Sequence, residues 1–159
     1  MKQIKTFSAD ETMLAGKALG NILSIGDVVC LTGDLGTGKT AFTNGIAGAL
    51  GIEDYITSPT FTIVNEYKTE NPLYHFDVYR ISDPEEMYDI GFEEYLYGDG
   101  VVVIEWAELI KDILPDDLIW VEISKNLSAG VDAREIRISF TGEKYEGYID
   151  RLETQLSHL

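Results

Sequence analysis

Residues 33–40 read Gly33-Asp34-Leu35-Gly36-Thr37-Gly38-Lys39-Thr40, between the apolar run Val28-Val29-Cys30-Leu31 and a helix-like stretch that begins at Lys39. The glycines let successive backbone N–H groups turn inward around phosphate oxygens, and the start of the helix directs its positive end at the same anion. An apolar strand, a glycine-rich turn and a helix, in that order, are the setting that this pattern needs. The stretch therefore predicts a phosphate-binding loop, or P-loop, in an α/β fold.

Two side chains of the loop predict the chemistry of the ligand. Lys39 is expected to reach the β- and γ-phosphates of a nucleotide and to act in catalysis, and the Thr40 hydroxyl is expected to ligate Mg²⁺. We expect the whole loop, together with Ala41, to contact the nucleotide. The alternative is a glycine-rich turn that binds nothing, but all four constrained positions and their setting favour the site.

The composition is that of one acidic domain. With 159 residues the chain can bury about two-thirds of its unfolded surface, so a single domain over residues 1–159 is expected. The formal net charge is −16, from 28 acidic and 12 basic residues, and such a surface repels phosphate backbones outside local pockets. Direct binding to nucleic acid is therefore not expected. The negative charge either favours binding to a basic protein partner or simply keeps the protein soluble.

The cysteine content and the hydropathy indicate a compartment. Cys30 is the only cysteine and lies inside an apolar run, which is typical of a core side chain in a reducing environment. The sequence has no apolar segment of signal-peptide or membrane-span length. We expect a soluble cytoplasmic protein with no membrane contact.

Helix and strand signals extend the α/β pattern on both sides of the loop. Ser8-Ala9-Asp10-Glu11 is a capping box before an amphipathic helix, and the helix after the loop should end at Gly51. The continuous apolar run Val101-Val102-Val103-Ile104 is typical of a strand covered on both faces, and we expect it beside the strand that precedes the loop. Residues 118–124 and 133–140 predict two more strands.

The remaining segments predict a hairpin and further helices. Residues 63–67 and 73–79 are joined by a short turn, as in an antiparallel hairpin. Asp83-Pro84-Glu85-Glu86 has the order of a helix start, and that helix or helix pair should run to about Leu96. Residues 145–159 repeat apolar side chains at helical spacing, either for packing on the chain's own sheet, which is favoured, or as a docking seam. The predicted class is a P-loop NTPase-like α/β fold with a mainly parallel sheet flanked by helices.

An acidic residue at the end of the second buried strand completes the predicted metal site. Glu105 follows Ile104 directly, where P-loop enzymes place a carboxylate of the Mg²⁺ shell, usually an aspartate. We assign Glu105 to Mg²⁺, directly or through water; the alternative is a solvent-exposed carboxylate at a strand end. Trp106 comes next and either covers the nucleotide or fills a gap in the packing.

Asp77 is the candidate for orienting an attacking water. It lies in an otherwise apolar and aromatic segment, where an unpaired carboxylate is costly, so a polar cleft or a partner is expected there. A structural pair with Arg80 is equally compatible with the pattern. Residues 58–62 form a polar loop placed like a switch segment, in which Thr60 or Thr62 either contacts Mg²⁺ or γ-phosphate or belongs to an ordinary turn.

Other polar and aromatic side chains give no site by themselves. His75 and His158 lack a ligand constellation and are interpreted as structural or surface residues. Trp120 is expected in the core. These residues add no second centre to the one around the loop.

Five segments occur in an order and spacing that are quite specific. They are residues 33–40, Ser58-Pro59-Thr60-Phe61-Thr62, His75-Phe76-Asp77-Val78-Tyr79-Arg80, Gly91-Phe92-Glu93-Glu94-Tyr95 and Ile104-Glu105-Trp106-Ala107-Glu108. With them the chain resembles the bacterial TsaE family, also called YjeE, over most of its length up to Ile123. The resemblance implies the ATPase component of tRNA threonylcarbamoyladenosine synthesis. It also implies TsaD and TsaB as protein partners, with tRNA reached only through that complex.

The resemblance also implies residue roles. It points to Thr12 as a nucleotide contact, to Thr40 and Glu105 as Mg²⁺ ligands, and to Asp77 and Trp106 as functionally important. ATP and Mg²⁺ are the implied cofactors. Where the family often has a second threonine after the loop threonine, this chain has Ala41, which leaves the hydroxyl of Thr40 in place. Beyond Ile123 the resemblance gives little support to a nucleotide contact by Arg134.

Three other functions use the same loop. A small-molecule kinase should add an arginine-rich lid, but the chain has only four arginines and no cluster of them. A GTPase switch is disfavoured because no Asn-Lys-x-Asp segment occurs. A nucleotide-gated adaptor, in which binding rather than hydrolysis signals to a partner, stays open.

Overall fold

The fold is built on one mixed sheet. The computed structural model describes residues 1–59 and 62–159. The strands of this part are β1 (Lys2–Thr6), β2 (Val28–Thr32), β3 (Val64–Tyr67), β4 (Leu73–Asp77), β5 (Val101–Glu105), β6 (Leu118–Lys125) and β7 (Arg134–Thr141). They form a seven-stranded sheet in the order β1-β7-β6-β2-β5-β4-β3.

The centre of the sheet is parallel and brings three strand ends together. Strands β6, β2, β5 and β4 run in one direction, and β2, β4 and β5 are buried at every position, as expected for strands covered on both faces. The register places both Leu31 and Asp77 opposite Glu105. The predicted pairing of the loop strand with residues 101–104 is thus confirmed, and the predicted site residues share one edge.

Helices cover both faces of the sheet. They are α1 (Ala9–Gly20), α2 (Lys39–Ala49), α3 (Glu86–Asp89), α4 (Phe92–Leu96) and α5 (Tyr148–Leu156), with 3-10 turns at Ala107–Ile113 and Glu143–Tyr145. Helices α1, α2 and α5 pack on one face, whereas α3, α4 and the longer 3-10 segment pack on the other. The predicted P-loop NTPase-like class, with its antiparallel β3–β4 hairpin, is confirmed.

Some predicted boundaries were wrong. Strand β1 was not predicted, and it adds an antiparallel edge by pairing with β7, which is itself antiparallel to β6. The predicted helix from Asp83 begins at Glu86 instead, although the Glu86 carboxylate does accept the Asp83 backbone N–H at 3.2 Å. Gly91, at φ 74°, divides this region into α3 and α4, so the predicted helix pair is confirmed, and α4 ends at Leu96 as expected. Local turn geometry therefore ends each helix after about one turn.

Helices α1 and α2 approach each other through glycine. A Cβ on Gly16 would lie 2.1 Å from the carbonyl oxygen of Phe42, and one on Gly45 would lie 1.9 Å from that of Met13. Any larger side chain would force the helices apart. This close approach holds the start of α1 against the N-terminus of α2, which carries the loop lysine.

The C-terminal helix packs on the chain's own sheet, as favoured from its apolar repeat. Tyr148 and Leu152 are buried in the core beside α1, and the Tyr148 hydroxyl donates to the buried carboxylate of Asp27 at 3.0 Å. The packed side chains are therefore not available as a docking seam. Among the described residues, no helix combines the length and the apolar character that crossing a membrane requires.

Candidate nucleotide site

The phosphate loop adopts backbone angles that its glycines allow. Gly33, Gly36 and Gly38 have φ values of 147°, 75° and 109°. A Cβ on Gly33 would also lie 2.3 Å from the Ile123 carbonyl oxygen of the neighbouring strand. The loop is braced internally by the Thr37 hydroxyl, which donates to the Asp34 carbonyl at 3.0 Å. Such successive turns are the geometry in which backbone N–H groups surround an anion.

Two residues outside the loop support it. Thr12, buried in α1, packs its methyl group beside Gly38, 3.4 Å from where a Cβ would be, and its hydroxyl hydrogen-bonds the Thr6 hydroxyl at 2.8 Å. Arg134, at the start of β7, donates to the carbonyls of Thr37 and Gly36 at 2.9 and 3.3 Å. Both residues therefore lie against the loop, and Arg134 acts on its outer, carbonyl side.

Lys39 is held in a partly dehydrated position at the start of α2. Its side chain is only 5% exposed, and Nζ donates to the carbonyls of Gly33 and Asp34 at 2.6 and 2.8 Å. Burial lowers the pKa of Lys39 below its ordinary value, although nearby carboxylates, Glu105 foremost, oppose that shift. An ammonium group in this setting interacts strongly with any anion that replaces the carbonyls.

Trp106 forms one wall of the site. Its ring centroid lies 4.3 Å from Lys39 Nζ and 4.7 Å from the Tyr79 ring centroid. Trp106 also has a positive φ of 63°, which is rare for a large side chain. Ile63, next to Asp77 through a 2.9 Å backbone hydrogen bond, is the other described non-glycine residue with positive φ. Strained backbone of this kind concentrates at functional sites, and here both positions flank the carboxylates.

Glu105 lies at the end of β5 and faces the start of α2. Its Oε1 is 3.5 Å from the Thr40 hydroxyl, and its Oε2 is 2.5 Å from His75 Nε2. Glu105 is only 3% exposed as a whole residue. A carboxylate and a hydroxyl at this separation fit Mg²⁺, which takes hard oxygen ligands and usually binds through one or two protein groups plus phosphate oxygens. The predicted pair Thr40 and Glu105 is thus brought together.

Asp77 is buried at the end of β4 with both oxygens engaged. One oxygen accepts the Tyr79 backbone N–H at 3.0 Å, and the other accepts the Ser58 hydroxyl. Ser58, Asp77, Tyr79 and Arg80 all line the same cleft as the loop. The carboxylate is therefore fixed in orientation and directed to the cleft.

The cleft has a volume of about 490 Å³ and joins the predicted residues. The predicted site residues that line the cleft are Leu35, Gly36, Gly38, Lys39, Thr40, Asp77, Glu105 and Trp106. Gly33, Asp34 and Thr37 line a second cavity of about 560 Å³ on the other side of the loop, and Ala41 is half-buried in the first turn of α2. Thr62 is exposed and bonded to Asn65. Thr60 lies outside the described residues.

Sequence reasoning did not predict the contact between His75 and Glu105. The chain was expected to use its histidines as structural or surface residues, and His158 is indeed exposed. His75 is fully buried and contacts Glu105, as a structural residue would. One signal was present: His75 and Asp77 are two apart on one strand and so point to the same face. The contact itself depends on strand pairing. Trp120, expected in the core, is half-buried and packs against it.

Fold and site together define the class of the chain, an α/β protein of P-loop NTPase architecture with a cleft at the carboxyl edge of its parallel strands. Its similarity to known proteins is more specific. The family model described as "Threonylcarbamoyl adenosine biosynthesis protein TsaE" matches residues 6–136. This chain belongs to the TsaE family.

Individual relatives agree with this assignment. The chain is 44% identical over 155 residues to the tRNA threonylcarbamoyladenosine biosynthesis protein TsaE of Bacillus subtilis, covering 96% of this chain and 95% of that protein. The protein of the same name from Treponema pallidum is 45% identical over 116 residues, 73% of this chain and 86% of that one. The crystal structure of Bacillus subtilis YdiB superposes with a TM-score of 0.78 at 40% identity, covering 96% and 95% of the two chains.

Proposed function

We propose that the chain is a Mg²⁺-dependent ATPase of the tRNA threonylcarbamoyladenosine machinery, and that it hydrolyses ATP to support a complex of TsaB and TsaD. The observation that carries the proposal is the convergence of Lys39, Thr40, Glu105 and Asp77 on one cleft beside the phosphate loop. The names of the relatives indicate the process, which is tRNA threonylcarbamoyladenosine biosynthesis.

The geometry supports a role for each of these residues. Phosphate oxygens would replace the carbonyls of Gly33 and Asp34 as acceptors for Lys39, in a site where burial strengthens charge-assisted bonds. Thr40 and Glu105 would hold Mg²⁺, which neutralises charge on the phosphates when bound.

Asp77 has the role of the water-orienting group. Its carboxylate is buried, directed to the cleft and held by Ser58 and the Tyr79 N–H, so it can accept a hydrogen bond from a nucleophilic water with little reorganisation. Thr12 would act through the loop, since it packs against Gly38. Trp106 would cover the nucleotide from the side of Lys39.

The arginine arrangement favours hydrolysis that depends on a partner. Three arginines donate hydrogen bonds to other groups of the protein. Arg134 donates to a loop carbonyl, Arg137 donates to Glu135, and Arg151 donates to the Ile22 carbonyl. Arg80 lines the cleft, but it is exposed. A water-exposed charge stabilises a transition state much less than a dehydrated one. A protein that covers the rim near Arg80 would therefore raise the rate.

Calorimetric titration with ATP and GTP, with and without Mg²⁺, tests the nucleotide assignment. We expect tighter binding of ATP and a clear dependence on Mg²⁺. Lys39→Ala should weaken binding by on the order of 2 to 3 kcal/mol and abolish phosphate release, because it removes a charge-assisted contact to phosphate. Lys68→Ala, at an exposed position, is the matched control and should behave as the wild type. Equal or tighter binding of GTP, or normal hydrolysis by Lys39→Ala, would refute the assignment.

A further inference from the structure

His75 is a buried histidine whose side chain has one hydrogen-bond partner among the described residues. It lies on β4 with no exposed surface, and its Nε2 is 2.5 Å from Oε2 of Glu105. Its other ring nitrogen, Nδ1, is buried without a hydrogen-bond partner among the described residues. Among the described residues, the imidazole therefore makes its one hydrogen bond to Glu105, the predicted Mg²⁺ ligand.

The partner atoms decide which ring nitrogen carries hydrogen. An ionised carboxylate can only accept, so Nε2 must donate to Glu105. Leaving Nδ1 without hydrogen avoids burying an N–H group that has no acceptor. With Oε2 occupied in this way, the other carboxylate oxygen, Oε1, is the one that faces the Thr40 hydroxyl at 3.5 Å.

We propose that His75 is a positioning residue that fixes Glu105 for metal binding. Glutamate has one more rotatable bond than the aspartate usual at this position, and an unsupported Glu105 would sample several orientations. The bond from Nε2 selects the orientation in which Oε1 points to Thr40. A hydrogen-bonded neighbour that orients a metal ligand commonly contributes tenfold to a hundredfold in metal affinity.

Strand geometry explains why this residue can do so. His75 and Asp77 project from the same face of β4, and Asp77 is the register partner of Glu105 on β5. His75 thus reaches Glu105 diagonally from two register pairs earlier, on the same face of the sheet. Asp77 and Thr40 line the cleft together with Glu105.

The inference rests on the proposed Mg²⁺ and nucleotide binding, and metal titration separates the two. Mn²⁺ binding at saturating ADP is followed by electron paramagnetic resonance, which needs no turnover. In His75→Leu we expect metal affinity to fall by about tenfold or more, while ADP affinity without metal stays unchanged. His75→Gln carries an amide N–H near the place of Nε2 and should stay within about threefold of wild type by retaining the donor. His75→Asn is too short to reach Glu105 and should resemble His75→Leu.

The controls separate positioning from packing. Val103→Ala removes buried volume at the register partner of His75 and should lower thermal stability without changing Mn²⁺ affinity. If His75→Leu fails to fold, the Mn²⁺ affinities of His75→Gln and His75→Asn decide whether His75 positions Glu105. Wild-type metal affinity in His75→Leu or His75→Asn, or equal loss in His75→Gln and His75→Asn, would overturn the positioning role. Absence of metal-dependent ADP binding in the wild type would overturn the proposed function, and the inference with it.

Discussion

At the scale of single residues, two groups of the site have features that do not stabilise the fold. Lys39 keeps a buried ammonium whose pKa is lowered by burial, and Trp106 keeps a strained backbone angle. Both features lower the free energy of unfolding. Both residues line one cleft, which supports the proposed nucleotide binding there.

Asp77 provides the residue-scale prediction for catalysis. We expect Asp77→Asn to keep nucleotide affinity but to lose most of the turnover, because the amide retains the shape yet carries no charge to orient the nucleophilic water. Calorimetry measures the first quantity and phosphate release the second. Ser58→Ala frees one carboxylate oxygen and should give a smaller loss. If affinity and rate are both normal in Asp77→Asn, the carboxylate is structural.

At the scale of elements, the site depends on how closely α1 and α2 pack. Gly45→Ala would place a methyl group against the Met13 carbonyl, and we expect it to lower the free energy of unfolding by about 2 to 3 kcal/mol. At Gly48, on the same helix, no described atom beyond the adjacent residues and the helix backbone lies within 4 Å of the position that an added methyl group would take. Gly48→Ala should therefore raise the free energy of unfolding by roughly 0.5 to 1 kcal/mol.

Denaturant unfolding monitored by circular dichroism measures both glycine variants. If Gly45→Ala is as stable as Gly48→Ala, the two helices can move apart to admit the methyl group without a loss of stability. That result would remove the physical reason for Thr12 to lie against Gly38.

The elements also show what a sequence can and cannot predict. The loop, β2, β5 and the hairpin have strong local signals, since their glycines and continuous apolar runs restrict the backbone by themselves. Strand β1 alternates over only five residues and is specified by pairing with β7. The contacts of His75 with Glu105 and of Thr12 with Gly38 join distant segments. They depend on strand register and helix crossing, which no local pattern encodes, and Thr12 was reached through family resemblance alone.

At the scale of the whole molecule, charge and exposed apolar groups point to a partner. The net charge of −16 gives a long-range negative field. Leu35 and Tyr79, at the rim of the cleft, are 66% and 47% exposed. A partner with a basic face and an apolar contact would match this rim and would also dehydrate Arg80. We therefore expect slow hydrolysis by the chain alone.

Steady-state phosphate release from ATP, measured with and without the TsaB–TsaD pair at low and high salt, tests this central claim most directly. An organised arginine is typically worth roughly 10³ to 10⁵ in rate, so the chain alone should be slow and the pair should accelerate it severalfold or more. The acceleration should shrink at high salt because screening weakens docking by the acidic surface. Adding tRNA to the pair checks whether the complete machinery responds further. Fast hydrolysis by the chain alone, or no response to the pair at any salt, would contradict the claim.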